Sequence, residues 1–183
     1  MRKIFFGCFL LISMACKSQQ YVLKDFSDSM RNVDKGHIGK SFPDFNVTDM
    51  DGKYFSDSLL NGKITLINFW FKSCRPCIAE FKRLNEIFEK FRNNKLFNFI
   101  SFTFEDTSAI KGIVKTYSLK FPVISISEVE CHRLNFGAGF PTNIIVDKYG
   151  KIAFFKSGGA LEVSNASQEI DSTILPKLYE LLN

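Results

Sequence analysis

From about residue 38 onward, apolar and polar positions fall into two alternating periods. Residues 42–47 read as extended, and Asp51-Gly52 makes a two-residue turn into the short run 53–55, which is a hairpin pattern. Asn61-Gly62 is a second turn, and residues 63–71 (Lys-Ile-Thr-Leu-Ile-Asn-Phe-Trp-Phe) are nearly continuous apolar and β-branched. Such a run predicts a strand buried on both faces. Pro76 suits the first turn of a helix. Beyond it Ile78, Phe81, Leu84, Ile87, Phe88 and Phe91 recur at helical spacing, opposite Lys82, Arg83, Glu86, Glu89, Lys90 and Arg92.

Further strands are predicted over 96–104, 122–126, 142–146 and 151–156, and helices over 107–117, 128–135 and 165–182. The bend Gly137-Ala138-Gly139 precedes a strand and lacks the third glycine and the Lys-Ser/Thr of a phosphate loop. Strands alternating with helices, then a hairpin and a last helix, predict an α/β domain with a mixed sheet flanked by helices.

The beginning of the chain has a different pattern. Arg2 and Lys3 precede the apolar stretch 4–12, and Ser13-Met14-Ala15-Cys16 follows. A basic start, a short apolar run and small residues read as an export signal over 1–15. The run is too short to cross a bilayer, which takes roughly 20 residues. Ser-Met-Ala-Cys also resembles a bacterial lipoprotein box, which would lipidate Cys16 and make residues 16–37 a polar tether ahead of a domain at 38–183. Several acyl chains on one cysteine anchor stably where one does not.

Composition narrows the class. A chain of 183 residues and 20.9 kDa with 45% apolar residues builds one domain with a sizeable core, neither two domains nor a disulfide-stapled miniature. Twenty-one Phe against a single Trp argue for an aromatic interior and against disorder. The formal charge is +5, and loss of Arg2 and Lys3 with the leader leaves 22 basic against 19 acidic side chains. That surplus is too small and scattered to predict nucleic-acid binding.

An exported chain lives where disulfides persist, which directs attention to the cysteines. Cys8 would leave with the signal, and Cys16 would carry lipid or, under ordinary secretion, be a spare Cys, so Cys74, Cys77 and Cys131 remain in the domain. Cys74-Arg75-Pro76-Cys77 falls between the buried strand and the helix start. Free amides and the helix dipole stabilise an anion there and lower the pKa of the first thiol, and the Arg75 charge acts in the same direction. Two intervening residues let the sulfurs join across one turn, with Cys74 as the exposed attacker and Cys77 as the sheltered resolver. A zinc ribbon needs a second ligand pair, for which only Cys131-His132 is available. A c-type haem needs His after the second Cys, where Ile78 stands.

The wider pattern is Asn68-Phe69-Trp70-Phe71-Lys72-Ser73-Cys74-Arg75-Pro76-Cys77, then Phe140-Pro141-Thr142 and the strand Asn143-Ile144-Ile145-Val146-Asp147. It resembles the thioredoxin superfamily, nearest to the exported TlpA/ResA-type thiol-disulfide oxidoreductases. Residues 38–45, with Asp51-Gly52-Lys53 and Gly62-Lys63, look like that branch's added N-terminal β-hairpin. The resemblance implies a thioredoxin-like fold and a redox-active disulfide between Cys74 and Cys77. It also implies a cis bond before Pro141 and a substrate-facing set of Phe140, Pro141, Arg75, Pro76 and Trp70. Glu80, three residues after Cys77 and so on its helical face, is similar to the branch's proton-handling acid.

Three residues depart from the pattern, one of them the bulky Phe140 before Pro141, which either recognises substrate or fills space. Asn68 stands where thioredoxin itself has a buried Asp, and Ser73 where a Trp commonly precedes the first Cys. Cys131 reads as a small buried apolar residue, with a third redox thiol near the site as the alternative, His132 as a surface or helix-end histidine and His37 as part of the tether.

The expected function is thiol-disulfide exchange on exported proteins, with no cofactor and no metal. Partners would be exported proteins bearing disulfides or thiols, apocytochrome among them, a membrane electron donor, and the membrane itself through the lipid anchor on the periplasmic side. A thiol peroxidase on the same fold is one alternative, although the peroxiredoxin Pro-x-x-x-Thr-x-x-Cys is absent ahead of Cys74. A non-catalytic lipoprotein with a structural disulfide is the other.

Overall fold

The computed structural model describes residues 36–48 and 52–183. The expected signal at 1–15, Cys16, the expected tether up to 35 and the turn residue Asp51 lie outside the described residues. Residues 37–183 form one compact unit. Two sheets are present in it. Strands β1 (Asn46–Thr48) and β2 (Tyr54–Ser56) pair as an antiparallel hairpin, and Gly52 between them has φ of 80°. The main sheet has the order β5-β4-β3-β6-β7, from β3 (Ile64–Phe69), β4 (Phe97–Thr103), β5 (Val123–Ser125), β6 (Thr142–Val146) and β7 (Ile152–Ser157). β3, β4 and β5 run parallel; β6 and β7 are antiparallel to their neighbours.

Helix α1 (Arg75–Phe91) follows β3, α2 (Thr107–Tyr117) follows β4, and α3 (Glu128–Leu134) precedes β6. Each starts on a side-chain cap: Cys74 Sγ, Asp106 Oδ1 and Ser127 Oγ accept from backbone amides in the first turn. The single helix expected over 165–182 is instead two, α4 (Val163–Ser172) and α5 (Ile174–Leu182), broken at Thr173. Pro176 explains the break. It has no N–H to donate to Ser172, four residues back, and its ring crowds that carbonyl.

Alternation along the strands divides the core between the two faces of the sheet. Ile64, Leu66 and Trp70 pack with Phe81, Leu84, Ile87, Phe99, Ile145, Ile170 and Leu178 on the side of α1, α4 and α5. Ile67 and Phe69 pack with Phe42, Phe45, Ile100, Phe102, Leu134, Ile144 and Val146 on the other. The phenylalanines interlock, with Phe69 and Phe45 both meeting Phe102 at centroid distances of 5.4 and 5.5 Å. His37, read from the sequence as tether, stacks on Phe155 at 4.5 Å and meets Phe136 at 4.4 Å. Ring packing makes it part of the domain.

Candidate active site

The buried strand β3 delivers the chain to the start of α1, and the two cysteines lie at that junction. Cys74 caps the helix: its carbonyl accepts from Ile78 N–H at 3.1 Å, and its sulfur accepts from Cys77 N–H at 3.2 Å. Cys74 and Cys77 are joined as a disulfide with Cα atoms 5.2 Å apart. The first-turn amide that would stabilise a Cys74 thiolate is therefore already directed at its sulfur.

Cys74 was expected to be exposed, and the structure corrects this. It is 4% exposed against 1% for Cys77, because both sulfurs lie in the apolar cluster with Trp70 and Phe81. Arg75 is exposed beside them and Pro76 half-buried within the first turn.

Glu80, one turn further along α1, is 1% exposed. Burial pushes its carboxyl up to about 7, opposed by the Asn143 amide, which donates to Oε2 at 2.8 Å, and by the Lys156 charge. Glu169 adds to the rise. Lys156 in turn pairs with Glu169 at 2.9 Å. A carboxyl poised near neutrality can both take and return a proton.

The Phe140–Pro141 bond is cis, as the resemblance implies. Pro141 is buried, and its carbonyl accepts from Gly158 N–H at 2.8 Å. Gly159 fits close over both groups: a Cβ there would lie 3.0 Å from Glu80 Oε1 and 3.0 Å from Pro141 Cγ. One glycine backbone thus brings the loop after β7 against the acid and the proline together.

The sequence matches the AhpC/TSA family over residues 38–155. It is 36% identical over 144 residues to a thiol-disulfide oxidoreductase ResA of Bacillus cereus, covering 78% of this chain and 82% of that protein. With the ResA of Bacillus anthracis it shares 37% identity over 121 residues, 65% of this chain and 69% of the relative. The chain belongs to this family, as a thiol-disulfide oxidoreductase of the ResA type. Solved structures carry the same fold. One is a thiol:disulfide interchange protein of the thioredoxin family from Chlorobium tepidum TLS, with a TM-score of 0.60 and 22% identity over 79% of this chain and 97% of that one. Another is a thiol-disulfide oxidoreductase from Bacteroides fragilis NCTC 9343, with a TM-score of 0.58 and 22% identity over 73% and 98%.

The substrate-facing set of this ResA-type chain is only partly assembled as expected. Half-buried Phe140 meets the rings of Phe71 and Phe104 at 5.3 and 5.7 Å, and exposed His132 packs on it at 5.5 Å. Trp70 is corrected: it is 0% exposed, with its ring edge-on to Phe81 and its N–H donating to Ser101 Oγ at 2.8 Å. Its position on the α1 side of β3 directs it into the core, where it offers no surface to a partner.

Cys131 is free and 0% exposed, and burial pushes its thiol up to about 12, with Glu128 and Glu130 adding to the rise. Among the described residues, no group of three His, Cys, Asp or Glu side chains is disposed to hold a metal ion, and no helix is long and apolar enough to cross a membrane.

Sequence reasoning missed Glu105, Asn143 and Ser101. Glu105 is 7% exposed and accepts from Lys72 N–H in the loop before Cys74. For Asn143 and Ser101 the available signal was polarity where the strand pattern demanded apolar side chains; Glu105 lies just past its strand and carried no such signal.

Proposed function

We propose that the chain exchanges disulfides with exported proteins, Cys74 attacking and Cys77 resolving. The Cys74 thiolate attacks one sulfur of a partner disulfide; the other partner sulfur leaves as a thiolate and takes a proton from water, giving a mixed disulfide. The Cys77 thiol passes its proton to the Glu80 carboxylate, and its sulfur attacks Cys74 Sγ. The Cys74–Cys77 bond forms and the second partner sulfur departs, two electrons having moved to the partner. A thiol donor at the membrane returns the pair to the dithiol. One observation carries this reading: Cys74 Sγ sits on the first-turn amide of α1, with a buried carboxyl one turn beyond Cys77.

In this reading Phe140, Arg75 and Pro76 meet the partner, and buried Pro141 sets the backbone that presents Phe140. The leader pattern supports export through residues 1–15, lipidation of Cys16 and a tether holding the domain to the membrane on the periplasmic side. Apocytochrome is among the partners the family expectation names.

The test is trapping. Cys77→Ser accumulates mixed disulfides with partners, whereas Cys74→Ser abolishes turnover and traps nothing. Trapping by the Cys74 variant would reverse the roles. Peroxide consumption that survives loss of Cys77 would favour a peroxidase instead. For the anchor, palmitate labelling that persists in Cys16→Ala would remove the lipid from that residue.

A further inference from the structure

Three polar side chains cross the centre of the main sheet on the face that α1 covers. Asn143 of β6 lies opposite Asn68 of β3, and Asn68 lies opposite Ser101 of β4. Each is no more than 1% exposed, and their strand neighbours on that face are Leu66, Phe99 and Ile145. Polar groups in such a place destabilise the fold unless every one is satisfied.

They are satisfied in series. Trp70 Nε1 donates to Ser101 Oγ at 2.8 Å, and Ser101 Oγ donates to Asn68 Oδ1 at 3.3 Å. Asn68 Nδ2 then donates to Asn143 Oδ1 at 2.9 Å, and Asn143 Nδ2 donates to Glu80 Oε2 at 2.8 Å. The direction is set by chemistry. An indole N–H can only donate, so the serine hydroxyl hydrogen is left for Asn68 and each amide is oriented in turn. Every donor points towards the carboxyl.

We propose that Ser101, Asn68 and Asn143 are positioning residues, forming a one-way hydrogen-bond relay from the Trp70 indole that holds Glu80 Oε2 and leaves Oε1 to carry the exchanging proton. Oε1 is the oxygen beside Gly159 and Pro141. This rests on the reading of Glu80 as the proton acceptor for Cys77. When Glu80 ionises, its charge draws the Asn143 amide closer, and the pull passes from bond to bond to the indole. The charged groups facing Glu80 from other elements are Lys156 of β7 and Glu169 of α4, and Cys77 shares its helix. None of these lies in the relay.

The chain has one Trp, so its indole resonance is an unambiguous reporter. In the oxidised protein, the Trp70 indole 1H–15N signal is expected to titrate with the same midpoint as the Glu80 carboxyl carbon, and to be flat in Glu80→Gln. In Ser101→Ala the Glu80 midpoint rises by about 0.5 unit, a roughly threefold change in proton affinity. An indole that stays flat while Glu80 titrates, or that still titrates in Glu80→Gln, overturns the relay. The wild type and Glu80→Gln are enough to decide between these outcomes if Ser101→Ala does not fold. Failure of the relay and failure of the proton role are distinguishable. If the indole follows Glu80 but Glu80→Gln resolves mixed disulfides at the wild-type rate, the relay stands and the proton role of Glu80 falls.

Discussion

The backbone amide of Lys72 donates to Glu105 Oε1 at 2.7 Å, and the ammonium of the same lysine stands 3.5 Å from Oε2. Glu105, just past β4, thereby holds the loop that leads from β3 to Cys74. Glu105→Ala leaves that amide without its acceptor and should cost about 1–3 kcal/mol of stability, with slower attack by Cys74. Glu105→Gln keeps one acceptor oxygen and should lose less. Urea unfolding checks the order, and an alanine variant as stable as the wild type would show that the loop holds itself.

Glu80 binds its proton more tightly in the folded chain than in the unfolded one. Its stabilising effect is complete below about pH 4.5 and is lost as pH rises through about 7. The span sets an upper limit of about 3 kcal/mol on the loss. Glu80→Gln still accepts from Asn143 but does not titrate, so it should gain on the wild type at pH 8 and show no advantage at pH 4. Parallel stability profiles for the two proteins would mean that Glu80 titrates normally.

Cys131 should take no part in the chemistry. With its thiol pushed to about 12 and no exposed surface, it should resist alkylation in the native reduced protein while Cys74 reacts. Cys131→Ala should keep full turnover at a stability cost of about 1 kcal/mol. Peptide mass spectrometry after brief alkylation reads the first point, and rapid labelling at Cys131 would contradict it.

Phe140 anchors the half-buried cluster with Phe71, Phe104 and His132 next to Pro141. If this surface receives protein partners, Phe140→Ala should raise KM for a protein disulfide about tenfold, or about 1.4 kcal/mol, with little change towards a small disulfide. An equal loss with both substrates would make Phe140 a support for the loop rather than a contact.

Some of these relationships were legible in the chain and others were not. The α1 apolar spacing, the β-branched run of β3 and the place of Cys74 just ahead of a helix start are visible because each depends on neighbours within a turn or a few residues. Asn143 was visible only as a polar interruption in a strand, and Asn68 as the residue standing where thioredoxin itself has a buried Asp. Their meeting across a sequence separation of 75 needed the register of β3 on β6. Pro176 was present in the expected last helix, and its effect on Ser172 could have placed the break. Trp70, by contrast, follows a strand whose two faces are both apolar, so nothing local says which side the ring takes.

A mixed α/β domain with two cysteines at a strand-to-helix junction can be read from the chain alone, because hydrophobic period, a helix-opening proline and the helix dipole are local properties. Tertiary structure alone decided what surrounds Glu80. Asn143, Lys156, Gly159 and Pro141 come from distant segments, and burial together with long-range strand pairing brings them within reach of one carboxyl.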